Sequence, residues 1–523
     1  MKKLPILQKK EKPLFKVELQ PTIPEFPDVP KHKVNIRYPL IAPYSYAHIF
    51  WDNKSKELIY YVEEPVLNPE EKNILNLLEE GIKELINISY LNVKKGETLI
   101  VYLEKNLKVL LNELRIEVSK DSYLKLMYFI YRDFVGLNEV EPLLCDYFIE
   151  DIECNGVGLP IYIVHRKYRN VRTNIEFDST HQLASFVEKL AQKCGQYVSY
   201  ANPLLDGALP DGSRVNATFT EDISSRGPTF TIRKFTRNPW TPTQLMYLRT
   251  ASPEILAYLW LLIEYERNIM VIGGTGSGKT TFLNGLIFFI PPSARVVSIE
   301  DTRELNLEHS NWLPSVAREG VGLSNILGQK YGEVSLFTLL RESFRQNPDY
   351  VIVGEVRGKE AYVLFQGMAS GHPSFGTMHA NSVDTMIKRL ETHPINLSPS
   401  LVETMDVVAV MTHAKVKGKE VRRMRELVEV IAVGEKGDST INKIFVWNPQ
   451  TDSFMFNGNS HVFKKLTIQH GVSEAELNAE LDRRSKLLIK LYQNRIFDFH
   501  AVQMVINEYY KDPKAVLAKF GVT

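Results

Sequence analysis

Residues 273–280 read Gly-Gly-Thr-Gly-Ser-Gly-Lys-Thr and satisfy the phosphate-loop pattern G-x-x-x-x-G-K-[ST]. A short apolar run, 269–272, precedes them, and residues 281–287 can continue as a helix. A strand, a glycine-rich turn and a helix N-terminus are the context in which this pattern binds phosphate. The glycines let backbone N–H groups surround phosphate oxygens, and the helix N-terminus adds partial positive charge. We therefore expect this loop to bind a nucleoside triphosphate.

The side chains of the loop have distinct predicted roles. Lys279 would reach the β- and γ-phosphates of the nucleotide, and the Thr280 hydroxyl would coordinate Mg²⁺. The loop backbone would supply the remaining phosphate contacts. The residues predicted to contact the nucleotide are Gly274, Thr275, Gly276, Ser277, Gly278, Lys279, Thr280 and Thr281.

The composition of the whole chain is that of a globular protein with ample core. Of its 523 residues, 44% are hydrophobic and 24% are charged, and the length indicates two to four domains. The formal net charge is +1, so no overall field favours nucleic acid or an anionic surface. Cys145, Cys154 and Cys194 form no C-x-x-C pair, which indicates a reducing compartment without a disulfide frame or structural zinc.

Neither a signal peptide nor a membrane span is predicted. The N-terminus is basic but lacks the apolar segment of a signal peptide. The longest apolar run, 255–263, has nine residues, which is too short to cross a bilayer. We therefore expect a cytoplasmic protein whose role at a membrane is peripheral.

Residues 1–35 are predicted to form a basic, proline-rich arm. They carry six lysines up to Lys16, and prolines follow at positions 21, 24, 27 and 30. This composition is typical of extended or poorly ordered chain. A solvated tail is favoured over contact with acidic lipid or with a partner.

Two smaller α+β modules are predicted next, over residues 36–130 and 131–235. In the first, Asn68, Pro69 and Glu71 predict a helix N-terminus with a capping box. The second has short, turn-bounded runs that alternate as strands do, with one helix between them.

A linker is predicted at 236–245, and the main domain at 246–523. Apolar strands alternate with amphipathic segments there, which predicts an α/β fold with a parallel sheet covered on both faces. Residues 407–433 have a strand pattern, and Ser473 with Glu476 predicts a helix start near the C-terminus. The four predicted parallel strands are 268–273, 295–300, 350–353 and 375–378.

Carboxylates and histidines follow three of these strands. Glu300 and Glu355 come at strand ends, where parallel sheets bind ligands, and either residue would orient the attacking water or lie near the metal. Glu355 and Thr280 are the predicted metal-site residues, and His372 and His379 would contact or sense the γ-phosphate.

Taken singly, each of these residues is only weak support for nucleotide hydrolysis. A lone histidine at a strand end is more often structural, and Glu300 alone fits a neighbour of a helix N-cap. Their combination with the phosphate loop favours hydrolysis of the bound nucleotide.

Four motifs follow one another along the chain: G-G-T-G-S-G-K-T-T, I-E-D-T-R-E, N-P-D-Y-V-I-V-G-E-V-R-G-K-E and G-H-P-S-F-G-T-M-H-A. In this order they resemble the type II/type IV secretion and pilus-assembly ATPase superfamily. They match its Walker A, Asp box, Walker B and His box, and the resemblance covers roughly 130–510. Two upstream stretches, I-E-D-I-E-C-N-G and L-P-D-G-S-R-V-N-A…I-R-K-F, resemble its archaeal branch.

The resemblance implies a RecA-like, Mg²⁺-dependent ATPase that forms a hexameric ring. Its PAS-like second module would donate arginines to the nucleotide, with Arg214 and Arg233 as the best matches and Arg226 in reserve. The alternative is that these are surface or ion-pair arginines. The resemblance also implies a polytopic membrane platform protein as partner, and a machine that builds or rotates an archaeal filament or secretes protein. The chain lacks the zinc-binding tetracysteine insertion of many bacterial members, which favours the archaeal branch.

Two rival functions stay open at this point. One is a conjugation-type or DNA-translocating ATPase of the same superfamily, and the other is a structural ring subunit that only binds nucleotide. The basic run 415–425 has no interleaved aromatic residues, so a solvated hairpin tip or a partner-docking site is favoured over nucleic acid. No nucleic-acid partner is expected.

Overall fold

The structure is a computed structural model that divides into two compact units, Met1–Phe235 and Thr236–Thr523. Each unit has its own sheet and its own hydrophobic core. Parts of the predicted arm and residues 236–238 of the predicted linker lie outside the described residues, so the domain boundaries stay predictions. The described residues are 13–18, 26, 29–85, 96–235, 239–318, 320, 331–434 and 438–522.

The first unit combines nine strands with five α-helices among its described residues. The strands are β1 (Asn35–Ile41), β2 (Ser45–Asp52), β3 (Glu57–Glu63), β4 (Ile149–Cys154), β5 (Pro160–His165), β6 (Arg169–Glu176), β7 (Leu204–Ala208), β8 (Arg214–Thr218) and β9 (Thr229–Arg233). The helices are α1 (Pro69–Leu85), α2 (Gly96–Glu113), α3 (Lys120–Ile130), α4 (Glu141–Cys145) and α5 (Thr180–Lys193).

These nine strands form one sheet in the order β1-β2-β3-β6-β5-β4-β9-β8-β7. The strands of the two predicted modules meet where β3 pairs in parallel with β6, with Ile59 opposite Arg172. All the other neighbouring pairs in this sheet are antiparallel. The two predicted modules therefore share a sheet and a hydrophobic core.

Local signals in the first unit are confirmed at α1 and corrected in the arm. At the start of α1, Asn68 Oδ1 accepts from the Glu71 N–H at 2.8 Å, and a Glu71 carboxylate oxygen accepts from the Asn68 N–H at 2.9 Å. Phe15, within the predicted solvated arm, is fully buried and stacks on Tyr44 at 5.1 Å. Its N–H donates to Glu104 Oε1 at 2.8 Å. An aromatic ring inside a basic stretch has most to gain from burial, so the tail prediction is wrong at this residue.

The second unit contains the predicted alternation of strands and helices. Its strands are β10 (Ile269–Gly273), β11 (Val296–Glu300), β12 (Trp312–Val316), β13 (Tyr350–Val353), β14 (Ser374–His379), β15 (Val407–Val416), β16 (Lys419–Val433), β17 (Ser439–Asn448) and β18 (Ser453–Phe456). Its helices are α6 (Pro242–Tyr247), α7 (Pro253–Glu264), α8 (Lys279–Leu286), α9 (Leu336–Ser343), α10 (Glu360–Ala369), α11 (Val383–Glu391), α12 (Pro399–Val402), α13 (His461–His470), α14 (Glu474–Gln493), α15 (Phe499–Lys511) and α16 (Pro513–Lys519).

The sheet of the second unit has the order β12-β11-β13-β14-β10-β15-β16-β17-β18. The strands from β12 to β15 are all parallel, and β16, β17 and β18 extend the sheet as an antiparallel meander. Every residue of β10, β11 and β13 is buried, because separate hydrophobic clusters cover the two faces of the sheet. The unit is therefore the predicted RecA-like α/β domain with a parallel sheet.

The C-terminal helices pack against one face of this sheet. The predicted capping box of α14 is present, with the Ser473 side chain accepting from the Glu476 N–H and the Glu476 carboxylate accepting from the Ser473 N–H. Across the ranges that the structure describes, no helix combines the length and the apolar character needed to cross a membrane.

Candidate nucleotide site at the phosphate loop

The phosphate loop lies between β10 and α8, as its sequence predicts. Gly276 and Gly278 have φ angles of 69° and 90°, a left-handed conformation that only glycine adopts without strain. A Cβ at Gly278 would lie 3.3 Å from Cδ of Arg422. The positive φ angles thus favour glycine at both positions, and at Gly278 the side chain of Arg422 also lies close to the backbone.

Lys279 begins α8 and is only 8% exposed. Its amino group donates to the Gly274 carbonyl at 2.9 Å and contacts His379 Nδ1 at 3.3 Å. Burial lowers the pKa of this amino group, and the Coulomb field of Glu355 opposes that effect. Both hydrogen-bond partners are uncharged when His379 is neutral, so the ammonium charge is available to an anionic phosphate.

His379 ends β14 and lies between Lys279 and Glu355. Its Nε2 is 3.2 Å from Glu355 Oε1, and its Nδ1 faces the Lys279 amino group. Burial and then the charge of Lys279 lower the pKa of the imidazole, so the ring is neutral at pH 7. Because the ammonium donates to Nδ1, we assign the ring proton to Nε2, where it faces the carboxylate.

Glu355 follows β13 and has cationic or polar groups beside both of its oxygens. Arg357 Nη2 donates to Oε2 at 2.5 Å, and the other oxygen faces His379. Burial opposes ionisation, but the hydrogen bond and charge of Arg357, then His379 and Lys279, lower the pKa of this carboxyl. Glu355 is therefore an oriented carboxylate. Arg357 had no predicted role, although its position two residues after a strand-end carboxylate was a usable signal.

Glu300 ends β11, the strand next to β13, and is 1% exposed. Its Oε1 accepts from the N–H groups of Glu304 and Leu305 at 2.8 and 2.9 Å. Its Oε2 is buried and has no hydrogen-bond partner among the described residues. Burial raises the pKa of this carboxyl to about 7. One oxygen is thus fixed, and the other is suited to exchanging a proton near neutral pH.

The two predicted carboxylates come close because of strand register. Ile299 of β11 lies opposite Val353 of β13, so Glu300 stands beside Gly354, immediately before Glu355. A Cβ at Gly354 would lie 3.0 Å from Cγ of Glu300. The lack of a side chain at Gly354 therefore leaves room for the Glu300 side chain at the carboxyl ends of β11 and β13.

His372 is not brought together with these residues. It precedes β14, whereas His379 ends it, so the length of a strand, about 20 Å, separates the two histidines. The His372 ring packs against Phe344 at 5.0 Å. Phe344 belongs to the segment before β13, at the end of the sheet away from the phosphate loop. The structure gives the predicted phosphate contact of His372 no support within one subunit.

The basic run 415–425 lies in the β15–β16 hairpin and is only partly a solvated tip. Lys415 and Lys417 are exposed. In contrast, Arg422 Nε donates to the Gly276 carbonyl at 3.0 Å, and Arg423 is 4% exposed and held by the carboxylate of Asp452. The interpretation as a solvated tip or docking site therefore fails for these two arginines. Nothing in the run itself indicated that β16 passes the phosphate loop.

The two arginines predicted as donors lie side by side in the first unit. Arg214 of β8 and Arg233 of β9 are directly opposite each other in the antiparallel ladder. Arg214 pairs with Asp206 at 3.0 Å, and Arg233 pairs with Asp151 at 3.1 Å. Like charges in opposed positions destabilise a sheet, and here each of the two guanidinium groups is paired with its own carboxylate. Arg226 lies in the loop between these strands, outside this pair.

The predicted metal residues offer oxygen ligands. Among the described residues, no group of three or more His, Cys, Asp or Glu side chains is arranged to hold a metal ion. Mg²⁺ commonly binds through one or two carboxylates together with water and substrate phosphates. The hydroxyl of Thr280 and the ionised carboxylate of Glu355 are hard oxygen donors of this kind, so they fit Mg²⁺.

Comparisons with known proteins show which family the chain resembles. The family described as Type II/IV secretion system protein matches residues 136–477. Protein MJ0900 of Methanocaldococcus jannaschii is 37% identical over 402 residues, which cover 76% of this chain and 72% of that protein. The type IV secretion system protein PtlH of Bordetella pertussis is 32% identical over 241 residues, which cover 41% of this chain and 68% of PtlH.

A solved structure in the comparison is the VirB11 ATPase from the Brucella suis type IV secretion system, in complex with sulphate. It is 25% identical, covers 55% of this chain and 92% of its own, and has a TM-score of 0.28. The family match to residues 136–477 spans well over half of this chain and includes the phosphate loop, both strand-end carboxylates and the arginine pair. The chain therefore belongs to the type II/IV secretion system protein family.

Proposed function

We propose that this protein hydrolyses ATP to ADP and phosphate, with Mg²⁺, at the phosphate loop. The observation that carries the proposal is the contact series from Lys279 through His379 to Glu355. It connects the phosphate-binding lysine to an ionised carboxylate at the end of a neighbouring strand. A turn that only binds phosphate has no need of this connection.

Each residue of the site has a separate task in this proposal. Lys279 binds the β- and γ-phosphates, and the N–H groups of the loop hold the phosphate oxygens. Thr280 and Glu355 would hold Mg²⁺, which neutralises charge on the β- and γ-phosphates when it is bound. Arg357 and His379 keep the Glu355 carboxylate ionised and oriented.

We assign the role of general base, which activates the attacking water, to Glu300. Oε2 of Glu355 accepts from Arg357, and its Oε1 lies 3.2 Å from His379 Nε2 without meeting hydrogen-bond geometry. Glu300 Oε2 likewise has no hydrogen-bond partner among the described residues, while its Oε1 is held by two backbone N–H groups. Burial also places the pKa of Glu300 at about 7, close to the pH at which a general base is effective. Oε2 takes a proton from water as the water oxygen bonds to the γ-phosphorus, and the bond from that phosphorus to the β,γ-bridging oxygen breaks. ADP leaves with that bridging oxygen.

The proposal extends to a motor that acts as a homo-oligomer, with a hexameric ring as the expected form. Arg214 and Arg233 would stabilise the γ-phosphate of a neighbouring copy, since they carry two opposed positive charges on one strand pair. Such a ring would work at the inner face of the cell membrane with a polytopic platform protein, and would drive an archaeal surface filament or protein secretion. Its membrane contact would be peripheral.

Phosphate release from ATP tests the catalytic part of this proposal. With Mg²⁺ we expect steady turnover, which EDTA abolishes and excess Mg²⁺ restores. Lys279→Ala should remove turnover, whereas Lys486→Ala, at an exposed ion pair on α14, should not. Turnover by Lys279→Ala at the wild-type rate would overturn the proposal, and so would a wild-type chain that binds ATP without releasing phosphate.

A further inference from the structure

The β15–β16 hairpin extends past the carboxyl ends of the parallel strands, where the phosphate loop lies. Gly273, the last residue of β10, is opposite Met411 of β15, which in turn is opposite Met424 of β16. The strand residues before Met424, including Arg422, therefore project beyond the carboxyl end of β10. The phosphate loop starts at that same end.

Arg422 contacts the phosphate loop at Gly276 and occupies space beside Gly278. Its Nε donates to the Gly276 carbonyl at 3.0 Å, and its Cδ lies 3.3 Å from the Cβ position at Gly278. Both glycines belong to the turn that surrounds the phosphates in loops of this type. The guanidinium of Arg422 therefore lies beside the turn that would hold the phosphates.

The side of the loop on which Arg422 lies determines which part of the nucleotide it meets. Glu300, Glu355 and His379 come from β11, β13 and β14, all on one side of β10 in the sheet. Arg422 comes from β16, on the other side of β10. The γ-phosphate must lie near the carboxylates for hydrolysis, so the α-phosphate and nucleoside extend towards β16.

Neighbouring contacts hold Arg422 in place. The next residue, Arg423, donates to both oxygens of Asp452 at 2.8 and 2.9 Å and to the Leu248 carbonyl at 2.8 Å. The ladder shifts register between Val410 and Met411, and bulges of this kind redirect side chains beside binding sites. The strand that carries Arg422 is thus fixed on its neighbours.

We propose that Arg422 binds the α-phosphate of ADP and ATP, and so sets the affinity of the site for the nucleotide. This inference rests on the proposed nucleotide site but adds a residue that acts on binding rather than on hydrolysis. The α-phosphate is common to ADP and ATP and is not transferred. Loss of Arg422 should therefore weaken the binding of ADP and of ATP equally and leave kcat unchanged.

Binding of a fluorescent ADP analogue and steady-state ATP hydrolysis test this inference. Arg422→Gln should raise the Kd for ADP and the KM for ATP by about tenfold or more, with kcat within about twofold of wild type. The control is Arg483→Gln on α14, which removes an exposed arginine paired with Glu480 and should bind ADP normally. The unchanged melting temperature of each variant establishes that it is folded.

A second measurement uses the unmutated chain. Phenylglyoxal modifies accessible arginines, and ADP should slow its reaction at Arg422 but not at Arg483. Both measurements depend on the contact between Arg422 and the α-phosphate. If Arg422→Gln does not fold, the protection experiment on the unmutated chain still tests the inference.

The outcomes separate this inference from the proposed function. Normal ADP affinity in folded Arg422→Gln, in a chain whose wild type binds and hydrolyses ATP, would overturn the role of Arg422 alone. A fall in kcat with unchanged KM would also overturn it, because Arg422 would then act on the transferred phosphate. A wild-type chain that binds no nucleotide would overturn the proposed function itself.

Discussion

Nε2 of His379 lies 3.2 Å from Oε1 of Glu355, so the end of β14 meets the carboxylate that follows β13. The opposite ring nitrogen of His379 contacts the Lys279 amino group at 3.3 Å. One neutral imidazole therefore stands between the phosphate-binding lysine and the carboxylate.

Replacing His379 tests whether this connection serves catalysis. His379→Ala should lower kcat for ATP hydrolysis by about 10- to 100-fold and change the KM for ATP little, because the ring orients groups at the γ-phosphate. Phosphate release at saturating ATP measures the effect. The control is His500→Ala, which removes an exposed histidine paired with Glu308. Equal losses in both variants would contradict a role for His379 in the site.

Glu300 should make the stability of the protein depend on pH. Burial raises the pKa of this carboxyl from an ordinary 4.5 to about 7 in the folded state. The stabilising effect of its bound proton is fully present below pH 4.5 and is lost as the pH rises towards 7. Relative to Glu300→Gln, the wild type should lose about 3 kcal/mol over this range. Melting temperatures of both proteins from pH 4 to 8 measure it, and parallel curves would contradict the buried ionisable carboxyl.

The same carboxyl should control the pH dependence of hydrolysis. If Glu300 accepts a proton from water, it acts only when ionised, so kcat should rise with pH and level off above about pH 7. Glu300→Gln should reduce kcat by about 100-fold or more and remove this dependence. Wild-type kcat in Glu300→Gln would show that another group is the base, and Glu355 would be the remaining candidate.

A mixing experiment tests whether the arginine pair acts on a neighbouring copy. The double variant Arg214→Ala/Arg233→Ala should lose about 100-fold or more of its ATPase activity, as should Lys279→Ala. If the chain forms the proposed ring, an intact phosphate loop from one variant would meet an intact arginine pair from the other at roughly a quarter of the interfaces of a mixed ring. Mixing should therefore restore part of the activity.

The control for this experiment mixes Lys279→Ala with Glu355→Gln. Both changes lie in the second unit and affect the same site, so every copy in the mixture still lacks either Lys279 or Glu355 and no complete catalytic site is restored. Failure of the arginine variant to complement Lys279→Ala, with both proteins folded and assembled, would show that the arginines do not act between copies.

Glu429 should be a major source of stability in the second unit. It is fully buried, and its carboxylate accepts hydrogen bonds from Tyr258, Asn442 and the His461 N–H. Glu429→Ala leaves these donors without their acceptor and should destabilise the unit by about 3 kcal/mol or more. The melting temperature measures the loss. Glu420→Ala, at an exposed position of the same strand, should change it little.

Sequence predicted those features that depend on local chemistry. Asn68 and Glu71 carry their own capping pattern, and the phosphate loop encodes its own turn, so both are recognisable without knowledge of distant contacts. Parallel strands that are buried on both faces, such as β10 and β13, are visible as continuous apolar runs. The ends of these strands then located Glu300, Glu355 and His379.

The features that sequence missed depend on partners far away in the chain. Strand β12 contains Pro314, which argues against a strand, but β12 is at the edge of the sheet, where proline is tolerated. Arg422 contacts Gly276, which precedes it by 146 residues, because the register of β16 brings it beside the phosphate loop. His372 matches a motif, and only the direction of β14 shows that it lies away from Lys279.

The fate of ATP bound to Glu355→Gln tests the central claim most directly. Removing the charge of Glu355 should leave Lys279 and the loop able to bind ATP while blocking its hydrolysis. Rapid isolation of the protein–nucleotide complex after hours with Mg²⁺ and ATP should recover ATP from Glu355→Gln and ADP from the wild type. Recovery of ADP from Glu355→Gln at the wild-type rate would contradict the account.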